Sequence, residues 1–269
     1  MSDKDALDQI GSIKLGDLSV KRLGLGTNRI HDNPSGHELL KKAVELGINF
    51  IDTAHTYAGG ESEAAIGKAL TPYKPGLIIA TKGGMGNGAS ASQLRAELQE
   101  SLQKLRTNTI DLYQLHRVDP TIPLLETMKC LKQFKDEGLI RHIGLSEVSV
   151  EQLQEAMSIV PIISVQNEYN IAVRKYEDLV DYCTSQSIIF IPWFPLGGLR
   201  GDTQKVEKIV DDIANHHQAA PQQIALAWLL KRSPIMLPIP GTTSIEHLES
   251  NLKSATIELS KDEWQKLGL

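Results

Sequence analysis

LLKKAVELGINFIDTAHTYAGGESEAAIGKALTPYKPGLIIATKGG, residues 39–84, carries the reading that decides the fold. Leu39, Leu40, Ala43 and Val44 recur at the spacing of one helical face, and the pattern stops at Gly47. INFID (48–52) follows at once; it is short, rich in branched residues and free of helical period, so it reads as a strand. LIIAT (77–81) is a second run of the same kind.

Outward from this stretch the same alternation continues. LGLG (23–26) precedes it; DLYQL (111–115), HIGLS (142–146), ISVQ (163–166), IIFIP (188–192) and IMLPI (235–239) follow. Helical patterns fill the gaps, such as Leu94, Leu98, Leu102 and Leu105 on one stripe. Capping-box spellings stand at Ser90…Gln93, Ser149…Gln152 and Thr243…Glu246, and Pro123 and Pro221 suit first-turn positions. Eight strand-then-helix units imply a parallel sheet covered by helices. With no linker or composition shift to divide residues 1–269, closure into a single (β/α)₈ TIM barrel domain is expected. IKLGDLSV (13–20) alternates around Gly16 and Asp17 and predicts a β-hairpin ahead of the first barrel strand, placed to cap the N-terminal mouth.

Composition agrees with such a domain: 269 residues, 41% hydrophobic and 23% charged. A formal charge of -5 argues against a nucleic-acid surface. No apolar run is long enough for a bilayer, and the acidic start MSDKDALDQIGSIKL is unlike a secretory signal. Cys130 and Cys183, each inside an apolar helical pattern, read as reduced core thiols. A cytoplasmic protein without membrane or nucleic-acid partners is expected, a monomer or weak homo-oligomer.

In a barrel of this kind the chemistry sits at the C-terminal strand ends and the loops after them. Those positions offer Asp52 with Tyr57 close behind, Lys82 and His116. Taken singly, the aspartate reads equally as a helix cap, the lysine as a solvated strand end and the histidine as a core residue. Together they make a proton donor. A phenol is too weak an acid at neutral pH unless an ammonium favours its phenolate, a carboxylate keeps that ammonium charged, and an imidazole orients the acceptor oxygen. Such a set suits protonation of a carbonyl oxygen while hydride reaches its carbon.

NFIDTAHTYAGGESEAAIGKAL (49–70) resembles the aldo-keto reductase signature, in which an aspartate precedes the catalytic tyrosine by five positions. The likeness continues through IATKGG (79–84), DLYQLHRVDP (111–120), GLIRHIGLSE (138–147), VQNEYN (165–170), FPLGG (194–198) and PIPGTTSIEHLESN (238–251). This resemblance implies Tyr57 as general acid, Lys82 and Asp52 as its tuners, and His116 as the carbonyl-orienting group. It implies NADPH/NADP+ as cofactor. Ser146 and Gln166, with Glu147 beside them, match the carboxamide site, and Trp193 matches the ring stacked on nicotinamide. Pro195, Leu196 and Gly197 match the pyrophosphate segment; Gly241, Thr242, Thr243, Ser244, His247 and Asn251 match the region of the 2′-phosphate and adenine.

Three departures stand out. Glu147 replaces the usual asparagine and can accept from a carboxamide but not donate. His247 replaces a common arginine, which implies a weaker, pH-sensitive grip, and Ser250 replaces a glutamate. The spellings VQNEYNIA (165–172), WFPLGG (193–198) and ALAWLLKRSPIMLPIPGTTSIEHL (225–248) are most similar to the pyridoxal reductase-like branch, which implies a small aromatic aldehyde. Arg29, His31 and Arg117 offer donors to such a substrate, and the short tail after the last helix implies an open mouth.

Other readings fit less well. Gly84 to Ala89 spell G-x-G-x-x-A, but Asp111 opens the next strand and so lies at the wrong end for a ribose contact. His216 and His217 are adjacent on a helix, so their side chains are expected to diverge, and no metal site is expected. A regulatory, cofactor-binding subunit is the rival to an enzyme, since related folds also serve as ion-channel auxiliary proteins.

Overall fold

The computed structural model describes residues 7–86, 89–197 and 204–268. Asn87 and Gly88 of the glycine-rich spelling, and Gly198 of WFPLGG, lie outside these. A hairpin of β1 (Ser12–Leu15) and β2 (Leu18–Lys21) precedes the barrel strands, its antiparallel strands turning at Gly16 and Asp17. Seven strands then pair in parallel and in chain order: β3 (Leu25–Gly26), β4 (Phe50–Asp52), β5 (Ile78–Gly83), β6 (Ile110–Leu115), β7 (Ile140–Ser146), β8 (Ile162–Gln166) and β9 (Ile189–Phe190).

The eighth β run closes the ring. Met236 bridges Phe190 on one side, and Gly241 bridges Gly26 on the other. Gly24 and Gly26 donate to the carbonyls of Pro238 and Pro240. Prolines at 238 and 240 remove two ladder donors, which explains bridges where a full strand was expected. Gly26 is required at this seam, because a Cβ there would come within 2.7 Å of the Ile239 carbonyl.

Helices alternate with the strands: α1 (Pro34–Glu45), α2 (Glu61–Leu70), α3 (Ala91–Leu105), α4 (Leu124–Asp136), α5 (Val150–Met157), α6 (Glu177–Gln186), α7 (Gln204–His217), α8 (Pro221–Arg232), α9 (Ile245–Lys253) and α10 (Lys261–Lys266). Ser90 caps α3, and Ser149 with Gln152 forms a full capping box on α5. At α9 the expected cap is off by one. Ser244, not Thr243, is the N-cap and accepts from the His247 amide, while Thr242 Oγ1 accepts from the Ser244 amide. Pro221 opens α8, whereas Pro123 sits one residue ahead of α4.

The strands' two faces bury different things. Ile51, Ile79, Tyr113 and Leu115 pack outward against the helices. Phe50, Ile78, Ala80, Leu112, Ile189 and Leu237 point inward and meet Leu15 and Val20 of the hairpin, which plugs that end of the barrel. Cys130 and Cys183 are buried, free thiols. No described helix is long and apolar enough to cross a membrane.

Candidate active site

Past the apolar plug, the inward positions of the same strands become polar. Period-two geometry carries Phe50 to Asp52, Ala80 to Lys82, and Leu112 through Gln114 to His116. After β4 the chain still follows β5: Thr53 donates to the Ala80 carbonyl (2.8 Å) and His55 to the Lys82 carbonyl (3.0 Å). Tyr57 then turns back, its amide bonded to the Ala54 carbonyl, and a short turn through Ala58, Gly59 and Gly60 runs at positive φ. That path sets the phenol above Lys82.

The ammonium of Lys82, only 1% exposed, spends its three protons on three acceptors. These are Asp52 Oδ1 (2.6 Å), the Thr53 carbonyl (2.8 Å) and the Tyr57 hydroxyl (3.1 Å). Burial pulls this lysine down, but Asp52 and Tyr57 more than offset it, so the charge is held above the ordinary lysine range. Asp52 Oδ2 accepts from Gln114 Nε2 (3.0 Å) and Gln166 Nε2 (2.9 Å), which completes the carboxylate's partners. Gln114 was not foreseen. The signal was present, an amide on the inward face of an otherwise apolar strand.

His116 meets the Tyr57 ring nearly at right angles, with centroids 5.9 Å apart. Burial, then the cations of Lys82 and Arg117, push its imidazole down to about 3, so it is neutral at neutral pH. Its Nδ1 is buried without a partner among the described residues. A neutral ring offers one N–H, which is what aligning a carbonyl oxygen requires.

A cavity of about 510 Å³ opens over this group. Asp52, Tyr57 and His116 line it, together with Ser146, Gln166, Trp193, Pro195, Leu196 and Gly241. Gly197 lies just behind, where a Cβ would come within 2.4 Å of the Phe194 ring. Thr242, Thr243, Ser244, His247 and Asn251 continue from Gly241 into the first turns of α9, with His247 exposed and Asn251 buried. Glu147 is turned differently. Its Oε1 accepts from Trp193 Nε1 and from the Glu168 amide (2.7 Å each), and its Oε2 from the Tyr176 hydroxyl (2.9 Å).

The three candidate donors part ways. Arg117 donates to Ser146 Oγ (3.0 Å) and the His116 carbonyl (2.6 Å) inside the cavity. Arg29 reaches the Gly241 carbonyl at the rim, and His31 pairs with Glu61 outside the lining. One expectation fails outright. His216 and His217 do not diverge; both rings reach Glu263 Oε1 at 2.9 Å. The reason is tertiary, since α10 brings that carboxylate between them, and a single helix face cannot reveal it.

Comparison with known proteins agrees with this geometry. The model of the Aldo/keto reductase family matches residues 22–268. An uncharacterized oxidoreductase of Schizosaccharomyces pombe is 44% identical over 276 residues, 96% of this chain and 89% of that protein. Pyridoxine 4-dehydrogenase of Escherichia coli K12 is 36% identical, over 92% of this chain and 94% of the relative. Among solved structures, an aldo-keto reductase of Klebsiella pneumoniae in complex with NADPH superposes with a TM-score of 0.85 at 28% identity. That match covers 95% of this chain and 93% of the other.

Proposed function

The chain belongs to the aldo/keto reductase family, and from that premise we propose that it reduces aldehydes or ketones to alcohols with NADPH, using Tyr57 as the acid. The observation that carries this reading is the buried ammonium of Lys82, bonded at once to Asp52 (2.6 Å) and to the Tyr57 hydroxyl (3.1 Å) on the cavity floor.

The residues present fit the cofactor. One cavity runs from Tyr57 and His116 past Trp193, Pro195 and Leu196 to Gly241, and α9 begins just beyond it. Free N–H groups in the first turn of a helix suit a phosphate. Ser146 and the amide oxygen of Gln166 would hold the carboxamide, Gln166 Nε2 being turned to Asp52. Thr242, Thr243, Ser244 and His247 would meet the 2′-phosphate. When bound, NADPH supplies the hydride.

The chain's own groups manage the proton. His116, neutral, donates to the carbonyl oxygen and fixes it near the phenol. Tyr57 gives its proton to that oxygen as negative charge builds there. Lys82 stabilises the phenolate left behind, and Asp52, itself held by Gln114 and Gln166, keeps the ammonium in place. Such preorganised charges act strongly because the site is buried.

The substrate class we propose is small aromatic aldehydes, pyridoxal among them, in a cytosolic enzyme made of one barrel domain. Kinship with a pyridoxine 4-dehydrogenase supports this, as do the flat face of Trp193 and the cation of Arg117 at the cavity wall. Measuring kcat/KM for pyridoxal, a nitrobenzaldehyde and an aldose decides it. Turnover of both aromatic aldehydes is expected. Aromatic turnover with none of pyridoxal leaves a general reductase, and turnover of the sugar alone overturns the class.

A further inference from the structure

Glu147 follows Ser146 at the end of β7 with its backbone in the left-handed region (φ 55°). A long side chain keeps that conformation only where its surroundings over-determine it. Here they do. The Glu147 amide donates to the Gln166 carbonyl (3.1 Å), and the carboxylate gathers donors from three other places. The Glu168 amide comes from the segment after β8, the Tyr176 hydroxyl from just ahead of α6, and the Trp193 indole N–H from the segment after β9.

For Trp193 that bond is decisive. Its backbone amide is tied to the Asn167 carbonyl (3.1 Å), and the indole has one polar atom, bonded to Glu147 at 2.7 Å. Holding both ends fixes the rotation of the ring plane. Trp193 lines the cavity, as does Ser146, while Glu147, next to the one in the chain and bonded to the other, does not.

We propose that Glu147 is a positioning residue that sets the Trp193 indole plane at the nicotinamide end of the cavity, and does not itself contact the carboxamide. The inference rests on the reading that NADP(H) binds with its nicotinamide against Trp193. A carboxylate suits this task because two oxygens serve three donors, and a charge-assisted bond to the indole is stronger than a neutral one.

The test is NADPH binding by calorimetry, beside the melting temperature of each unliganded variant. Glu147→Ala and Trp193→Phe should each weaken binding about tenfold. The double variant should be no more than about twofold worse than either, because both remove one interaction. Glu147→Gln should stay within about threefold of wild type, since one amide oxygen can serve the indole and the Tyr176 hydroxyl can turn to accept. Effects that multiply in the double variant would overturn the proposal by making Glu147 act independently of Trp193. So would a lowered melting temperature with unchanged affinity, the mark of a merely structural role. A wild-type chain that fails to bind NADPH would instead refute the functional reading on which the proposal rests.

Discussion

The two ends of this barrel are built from the same strands and could hardly be more different. At one end Leu15, Val20, Phe50, Ile78, Ala80 and Leu112 close an apolar plug. One pleat further along β4, β5 and β6 the inward residues are Asp52, Lys82 and Gln114, and these hold a buried charge between named partners. The difference teaches a division of labour. Apolar packing at the hairpin end stabilises the ring without directional demands, while the other end carries ions whose burial is tolerable only because every acceptor and proton is matched. Barrels of this class place chemistry at one face and stability at the other, and here the boundary falls between consecutive inward residues.

Breaking the charged end should give the largest effect. Lys82→Met strands Asp52 as a buried, unpaired charge and should cost about 3–5 kcal/mol of stability. It should also lower turnover about 10²–10⁴-fold. Adding Asp52→Asn should restore much of the stability in denaturant titrations and none of the turnover. Recovery of both would mean the pair is structural only.

The plug should answer in the opposite sense. Leu15→Ala leaves a cavity among fully buried neighbours and should cost about 2–5 kcal/mol, with kcat unchanged once folded enzyme is assayed. A plug variant that alters kcat at unchanged stability would erase the contrast between the two ends.

Acid should sharpen the contrast further. His116 is depressed to about 3 in the folded chain from an ordinary value of 6.5, so between those values the unfolded chain binds the extra proton. Stability should therefore fall as pH drops below about 6.5, and His116→Gln should remove that part of the loss. Glu263, lowered to about 2 by His216, the Ser260 amide and His217 against its burial, adds stability that is lost as pH falls from about 4.5 toward 2. Because His116 stays neutral throughout the working range, kcat should show no inflection near 6.5 that disappears in His116→Gln.

The smallest effect belongs to the exposed start of α9. His247→Arg should favour NADPH over NADH by about two- to fivefold in dissociation constant, because guanidinium holds its charge and grips phosphate in two places. No change in that ratio would remove residue 247 from the phosphate site.

The plug and the charged end were legible to different degrees. Gly16 and Asp17 announced the hairpin by turn chemistry, and the strand ends alone brought Asp52, Tyr57, Lys82 and His116 to one mouth. Partners that depend on tertiary placement were not legible. Gln114 looks like one more strand residue until its inward face is known, and the bonds of Glu147 need the left-handed turn that aims it at Trp193. The α9 cap slipped from Thr243 to Ser244 because two hydroxyl residues in a row spell the same signal. The convergence of His216 and His217 is not legible in their own helix, because Glu263 arrives from another one.

Stopped-flow mixing of the NADPH-loaded chain with an excess of reactive aromatic aldehyde tests the central claim most directly, with wild type and Tyr57→Phe side by side. Wild type should oxidise one equivalent of bound NADPH in a rapid phase, and Tyr57→Phe should bind NADPH with near-normal affinity yet react about 10²–10⁴-fold more slowly. A wild-type chain that holds NADPH without oxidising it, or a Tyr57→Phe variant as fast as wild type, would contradict the account.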